Sequence, residues 1–201
     1  MIRAALAEFS AKGFAGARIN SISRQARVNK RMLYHYFGDK EDLYREVLRR
    51  KIEERAGFVE STPDDPTEAI LYWYEVGSRD LDWVRMLQWE ALASGKAKVL
   101  AEDERRALLE KGADKLRRSQ VAGRICPEVD TKQLFISILA LTLYPLAFPQ
   151  MARMTSGLSA TDPAFRRKRI EFLRWFAGRL SAPARANRAA SRSRETIKKA
   201  V

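Results

Sequence analysis

The sequence predicts an all-α protein, on three observations. Apolar residues recur at the three- to four-residue spacing of helices along almost the whole chain, and no stretch shows the sustained alternation that is typical of strands. Glycine, proline and capping residues divide this pattern into separate segments. Hydrophobic residues make up 46% of the 201, so the chain can bury a sizeable core.

Two short helices are predicted at the start of the chain. In the first, Ile2, Ala5 and Phe9 share one face, and Gly13 is suited to end the helix because glycine readily adopts the conformation found there. The second helix covers about residues 19–26. Its apolar positions also recur at helical spacing, so we expect both helices to pack on one small core.

A short third helix and a long fourth helix are predicted next. Asn29 can cap a helix over residues 30–37, whose two turns persist only if residues such as Leu33 pack against a core. Gly38 ends this helix. Asp39 is then suited to cap the fourth helix, because a carboxylate accepts hydrogen bonds from the free backbone N–H groups of the first turn.

The rest of the chain is predicted as five further helices and a tail. Helix-breaking residues over 61–66 end the fourth helix. The predicted helices cover residues 66–78, 80–94, 98–122, 130–155 with a bend at Pro145 and Pro149, and 163–180. Residues 181–201 carry a net charge of +5 and have too few large apolar residues to bury a face. This composition predicts a disordered basic tail that adds salt-sensitive affinity for DNA.

The second and third helices, joined by the three-residue turn 27–29, form the pattern of a helix-turn-helix, whose second helix enters the major groove of DNA. Packing of Leu33 and Phe37 leaves four side chains of the third helix facing outward. They are Lys30, Arg31, Tyr34 and His35. Side chains of these types donate to base edges and phosphates. In isolation, the aromatics could equally be packing residues and the cations solvated charges.

Charge and composition limit the other classes of function. The net charge of +13 indicates a polyanionic partner, either nucleic acid or an anionic membrane surface. The most apolar stretch, 134–148, is shorter than the roughly 20 residues that span a bilayer, so no membrane partner is expected. The single cysteine, Cys126, and the lack of a signal pattern favour a cytoplasmic protein.

An enzyme is not expected. His35 is the only histidine and belongs to the predicted DNA-binding helix, so histidine-based catalytic triads and multi-histidine metal sites are excluded. The sequence also has no glycine-rich phosphate loop. We therefore expect no catalytic residues, no metal and no cofactor.

Residues 2–48 resemble the DNA-binding domain of the tetracycline-repressor (TetR) family of bacterial regulators. The matching residues are Ala5, Phe9, Gly13, Phe14, Ile22, Ala26, Val28, the run Leu33-Tyr34-His35-Tyr36-Phe37 and the run Asp39-Lys40-Glu41-Asp42-Leu43. The resemblance implies a helix-turn-helix DNA-binding domain over 1–47, a helical ligand-binding and dimerisation domain over 48–180, and the tail over 181–201.

The resemblance also implies which residues contact DNA. It implies base or phosphate contacts for Asn20, Lys30, Arg31, Tyr34 and His35, and mainly phosphate contacts for Tyr36 and Lys40. The sequence departs from the family pattern in the turn, where Arg27 replaces glycine, and at the start of the second helix, where Ala17 and Arg18 replace hydroxyl residues. Either the turn backbone tolerates a side chain at Arg27 or Arg27 adds a phosphate contact, and Arg18 is a further candidate phosphate contact. Met32 stands where the family often has a hydroxyl residue that contacts phosphate, so that contact is not carried over.

The resemblance implies a homodimer in which the last two long helices pair with their copies. The stretch 134–148 is apolar around nearly its whole circumference, which a symmetric partner would cover. Two-fold symmetry implies an inverted-repeat operator on double-stranded DNA. We therefore expect a repressor that a small-molecule effector releases from DNA, with an activator or a ligand-independent regulator as the alternative.

A ligand site is predicted where aromatic and acidic residues alternate between positions 70 and 95. The candidate ligand-binding residues are Trp73, Trp83, Trp89 and Glu90, together with Tyr144 in the apolar stretch. Aromatic rings with a few acids are suited to a cationic or aromatic ligand. The alternative is an ordinary helical core with a solvated acidic face.

Overall fold

A computed structural model of the chain describes residues 1–94 and 99–180. Within these ranges the chain forms ten α-helices and no strand, which confirms the all-α prediction. The predicted tail over 181–201 lies outside the described residues. The helices are α1 (Ile2–Gly16), α2 (Ile19–Gln25), α3 (Lys30–Phe37), α4 (Lys40–Glu60), α5 (Pro66–Arg79), α6 (Leu81–Ser94), α7 (Glu102–Val121), α8 (Thr131–Ala147), α9 (Pro149–Ser156) and α10 (Pro163–Leu180).

Helices α1 to α3 and the start of α4 share one apolar core. Phe9, Ile22, Leu33 and Leu43 are each at most 2% exposed within it. The core holds α3, which is too short to be stable alone. The helical conformation is interrupted at Gly13, where the sequence predicts that the first helix ends, and one further turn follows the interruption. Gly13 adopts a left-handed φ of 68° and kinks the helix, which then continues to Gly16.

Helix α4 connects the first core to the rest of the protein. Its first turn is capped as predicted, with the Asp39 carboxylate accepting from the backbone of Glu41 and Asp42. The helix then runs for 21 residues without a break, which corresponds to roughly 30 Å. The predicted domain boundary at residue 47 falls inside it, so α4 contributes to both parts of the protein.

Helix α6 packs directly on α1. The Trp89 ring lies against Gly13, where a Cβ atom would come within 2.9 Å of it, and the Trp89 indole N–H donates to the Ser10 carbonyl at 3.1 Å. The Ser10 hydroxyl in turn donates to the Asp82 carboxylate at 2.8 Å. Met86 of α6 is buried in the first core. The helix-turn-helix is therefore held against α6 as well as by α4.

A second core lies between α5, α7, α8 and α10. Its fully buried members include Ile70 and Tyr74 of α5 and Leu173 and Ala177 of α10, with Ile138 of α8 packed beside them. Helix α8 thus lies inside the second half of the protein, with α5 against one side. This arrangement leaves other faces of α8 and α10 on the surface.

The predicted helix over 130–155 is two helices, because the chain breaks between α8 and α9 at Phe148 and Pro149. Pro145 does not break α8, although proline has no N–H to donate to the carbonyl of Leu141. The guanidinium of Arg169 in α10 donates to that carbonyl instead. Among the described residues no single helix is long and apolar enough to cross a membrane, and α8 and α9 reach that threshold only jointly, across an 86° bend.

Candidate nucleic-acid interface and cavity

Helix α3 presents a polar face to solvent, and the sequence pattern explains its position. The Asn29 side chain accepts from the Met32 backbone N–H at 2.8 Å, which confirms the predicted cap, and Leu33 anchors the helix from below. Four exposed side chains share the outer face at helical spacing. We refer to Lys30, Arg31, Tyr34 and His35 as the recognition surface.

The surroundings of the recognition surface are also cationic. Residues 9–38 contain six Lys or Arg residues and no Asp or Glu, so nothing acidic within this segment opposes a phosphate. Arg18 and Asn20 are exposed at the start of α2. Tyr36 is 61% exposed, beside His35. All nine residues that we predicted to contact DNA lie at the surface except Lys40, which is half-buried.

Lys40 has a structural partner in this conformation. Its ammonium donates to the Ala15 carbonyl at 3.3 Å and lies 4.8 Å from the centre of the Phe14 ring. The side chain thereby joins the start of α4 to the end of α1. An ammonium has three N–H donors, so two remain for a phosphate at this helix terminus.

The start of α2 is capped by a residue that the sequence analysis missed. Arg18, at the N-cap, makes no side-chain cap, but the carboxylate of Glu8 in α1 accepts from its backbone N–H at 3.2 Å. The same carboxylate accepts from the Ser21 hydroxyl at 2.8 Å and from Gln25 at 3.2 Å. Glu8 is the only acid before Asp39 and lies between Ala5 and Phe9 on the apolar face, which is the signal that could have identified it.

The turn between α2 and α3 depends on an unusual backbone conformation at Arg27. Its φ is 53°, in the left-handed region that favours glycine. The Val28 N–H donates to the Ser23 carbonyl and the Arg27 N–H to the Arg24 carbonyl, which is the Schellman pattern of a helix end. Arg27 therefore occupies a position that favours glycine, and its backbone is strained. Its side chain is exposed, in the segment 9–38 that contains no acidic residue.

Replacing Arg27 by glycine is expected to stabilise the fold and to weaken DNA binding. Relief of the left-handed strain should raise the free energy of unfolding by about 0.5–1 kcal/mol. Removal of one cation should lower the slope of log affinity against log salt by about 0.9 for each phosphate that the protein no longer neutralises. Urea denaturation and salt-dependent gel shifts measure the two effects.

Arg27→Lys is the matched control for this substitution. It keeps the charge and the strained backbone, so both the unfolding free energy and the salt slope should stay near those of the unaltered protein. A salt slope that is unchanged in Arg27→Gly would show that Arg27 makes no phosphate contact.

A cavity of about 540 Å³ lies between α4, α5, α6, α7 and α8. Its wall is mainly apolar, and Trp73 and Trp83, both predicted as ligand-binding residues, line it. The polar residues of the wall are Arg55, Glu102, Arg105, Arg106 and Thr142. This volume falls within the range of small-molecule sites, which are concave and mostly apolar with a few polar groups.

The other three predicted ligand residues, Trp89, Glu90 and Tyr144, do not line this cavity. Trp89 packs between α6 and α1, Glu90 pairs with Arg105 at 2.5 Å, and Tyr144 is half exposed on α8 beside Phe148. Trp89 and Glu90 instead border an open groove beside α1. Three further acidic residues between positions 70 and 95, Glu75, Asp80 and Asp82, also lie outside the cavity lining and are held in ion pairs, that of Asp80 being with the lining residue Arg55.

Comparison with known families gives matches over both parts of the chain. Residues 1–47 match the model described as bacterial regulatory proteins, tetR family. Residues 72–179 match the model described as tetracyclin repressor-like, C-terminal domain. The first match contains the helix-turn-helix, and the second contains α6 to α9 with most of α5 and α10.

Individual relatives extend over most of the chain. The HTH-type transcriptional repressor SCO4008 of Streptomyces coelicolor is 32% identical over 157 residues, which cover 78% of this chain and 82% of that protein. The HTH-type transcriptional regulator RutR of Escherichia coli is 26% identical over 178 residues, covering 85% and 84% of the two chains. The crystal structure of the transcriptional regulator SCO4942 from Streptomyces coelicolor has a similar fold, with a TM-score of 0.72 at 24% identity over 87% of this chain and 94% of that one.

Proposed function

Because this chain belongs to the tetR family of bacterial regulatory proteins and is a DNA-binding transcriptional regulator, we propose that it is a homodimeric repressor released from an inverted-repeat operator by a small molecule. The exposed recognition surface on α3 is the observation that carries the proposal. In this proposal residues 1–47 bind DNA, and residues 48–180 bind the ligand and the second subunit.

The recognition surface supports specific contact with bases. Lys30 and Arg31 can donate to guanine O6 and N7, and Tyr34 can contact a thymine methyl group or donate to phosphate. His35 adds a donor on the same side of the helix. Arg18, Asn20, Arg27, Tyr36 and Lys40 would then hold the phosphates on either side of the groove.

An exposed apolar face on α8 and α10 supports the dimer. Ile136 and Tyr144 of α8 are 58% and 50% exposed, and Phe172 and Trp175 of α10 are 42% and 58% exposed. Phe172 lies beside Trp175 and Tyr144 lies beside Phe148, and exposed clusters of large apolar side chains mark interaction surfaces. Since a two-fold dimer uses the same face on both subunits, it would present two recognition helices to an inverted repeat.

The position of α4 supports coupling between ligand binding and DNA binding. Its first half buries Leu43 and Val47 in the core of the helix-turn-helix, and its second half contributes Arg55 and Val59 to the cavity wall. A ligand that shifts the second half of α4 would therefore move the recognition surface with it. The name of the relative SCO4008, a transcriptional repressor, favours repression for this chain as well.

Selection from random DNA duplexes, followed by gel shift, tests the proposal. We expect an inverted repeat to be enriched, and the double substitution Tyr34→Ala with His35→Ala to weaken binding to it by about thirtyfold or more, since base contacts contribute about 1–3 kcal/mol each. Arg49→Ala is the control, because Arg49 is an exposed cation on α4 outside the recognition surface. Enrichment of no inverted repeat, or unchanged affinity of the double variant, would contradict the proposal.

A further inference from the structure

The cavity described above combines an apolar body with a cationic end. Its apolar lining consists of Val59, Trp73, Trp83, Leu87, Val99, Leu108, Leu109, Phe135, Leu139 and Leu143. The Thr142 hydroxyl donates to carbonyls of its own helix. Three arginines and a single glutamate supply the charge, so the wall is cationic as well as apolar.

Two of these arginines are buried and only partly satisfied. The Arg55 and Arg105 side chains are 7% and 13% exposed. A terminal guanidinium nitrogen of Arg55 donates to Asp80 at 2.7 Å, and one of Arg105 donates to Glu90 at 2.5 Å. Within the described part of the chain, the Nε–H of each has no hydrogen-bond partner. Buried donors on charged groups are normally paired, so both can take a further acceptor.

Both guanidinium groups lie close to the Trp83 ring. Their central carbons are 5.5 Å and 5.3 Å from the centre of the Trp83 ring. The third arginine differs from them, because Arg106 is 60% exposed and pairs with Glu102 at the surface. The buried cations of the wall, Arg55 and Arg105, therefore both lie beside Trp83, and we refer to this part of the wall as the cationic end.

We propose that the ligand of this cavity is a small organic carboxylate with an apolar body, whose head group accepts hydrogen bonds from the free Nε–H groups of Arg55 and Arg105. This inference rests on the proposed function, in which the cavity binds the effector. A neutral ligand would leave the two donors unpaired, and a cationic one would be desolvated beside guanidinium groups. Burial lowers the pKa of Arg55 even though Asp80 opposes this effect, so a second carboxylate would stabilise its charged form.

Binding of three matched probes tests the class of ligand. We expect decanoate to bind the full-length protein at least tenfold more tightly than 1-decanol in isothermal titration calorimetry, because a charge-assisted hydrogen bond is worth about tenfold or more in affinity. Decylamine should bind most weakly. If decanoate binds no more tightly than decanol, or if decylamine binds most tightly, the inference is overturned.

Substitution of the two arginines tests the position of the head group. Arg55→Met, and Arg105→Met combined with Glu90→Gln, should each weaken decanoate binding by about tenfold to a hundredfold and change decanol binding by less than about threefold. Lys51 still pairs with Asp80 at 2.8 Å when Arg55 is replaced. Arg106→Met, on the exposed side of the wall, is the control and should bind decanoate normally.

A further variant distinguishes loss of the Nε–H donor from misfolding. Arg55→Lys keeps a charge beside Asp80 but has no Nε–H, so it should melt close to the unaltered protein and still lose most of its preference for decanoate over decanol. Retention of the full preference in Arg55→Lys and in the Arg105→Met variant would overturn the assignment of these donors.

Measuring release from the operator distinguishes a failure of the proposed ligand class from a failure of the proposed function. A protein that prefers decanoate through Arg55 and Arg105 but keeps its operator when saturated would contradict release by ligand and support the ligand class. A protein that binds an inverted repeat but shows no preference for decanoate would overturn the ligand class alone.

Discussion

Trp175→Glu is expected to convert the protein to a monomer and to weaken binding to an inverted repeat by at least a hundredfold. Trp175 is 58% exposed on α10 and stacks beside Phe172, in the apolar face that we propose as the dimer interface. A carboxylate buried in an apolar interface is unfavourable even though Arg179, whose guanidinium lies 5.4 Å from the centre of the Trp175 ring, can pair with it. Once the subunits separate, the second half-site no longer benefits from a tethered neighbour, and such tethering is commonly worth about 10²–10⁴ in affinity.

Sedimentation velocity and gel shifts on two DNA duplexes measure this effect. The unaltered protein should bind the intact inverted repeat at least a hundredfold more tightly than the Trp175→Glu variant does. On a single half-site the two proteins should bind with similar affinity. Leu92→Glu is the control, because Leu92 is 80% exposed on α6, outside the proposed interface, and should sediment as a dimer. If Trp175→Glu sediments as a dimer, or if the unaltered protein is a monomer at micromolar concentration, the interface is assigned wrongly.

The helix-turn-helix could be predicted element by element because its signals are local in sequence. The caps of α3 and α4 act within three residues, from Asn29 to Met32 and from Asp39 to Asp42. Leu33 follows from helical spacing alone. The kink at Gly13 could not be predicted in this way, because glycine ends many helices and only the approach of Trp89 from α6 explains why it bends this one.

The ligand site was predicted less well because residues close in sequence on a helix point in different directions. Trp83 and Trp89 are six residues apart, which turns their side chains roughly 240° around the α6 axis. One ring therefore lines the cavity and the other packs against α1. The cationic end depends on contacts between distant residues, such as Arg55 with Asp80, that no local pattern reveals. The tolerance of Pro145 likewise depends on Arg169 from another helix.

Glu8→Ala is expected to destabilise the protein by about 2–4 kcal/mol, because it removes the buried carboxylate that accepts hydrogen bonds from Lys12, Arg18, Ser21 and Gln25. Glu8 is 3% exposed, and its carboxylate also pairs with Lys12 at 2.9 Å in addition to capping α2. Urea denaturation at neutral pH measures the loss. Glu53→Ala is the control, since Glu53 is an exposed glutamate that pairs with Arg49 on the surface of α4, and exposed pairs contribute at most about 1 kcal/mol. A loss no larger than that of the control would contradict the capping role of Glu8.

The pH dependence of the difference in unfolding free energy between the unaltered protein and Glu8→Ala is a second test of the cap that Glu8 provides to α2. Burial alone would raise the pKa of Glu8, but hydrogen bonds from Lys12, Ser21 and the Arg18 backbone outweigh burial and lower the pKa below its ordinary value of 4.5. A carboxyl group with a lowered pKa in the folded state stabilises the fold above the unfolded pKa, and this contribution disappears as the pH falls through the folded pKa. The difference in unfolding free energy between the unaltered protein and Glu8→Ala should therefore be constant above about pH 5.5 and shrink as the solution is acidified. A difference that grows on acidification would mean that the neutral form of Glu8 makes the cap, and that the ion pair with Lys12 does not contribute to it.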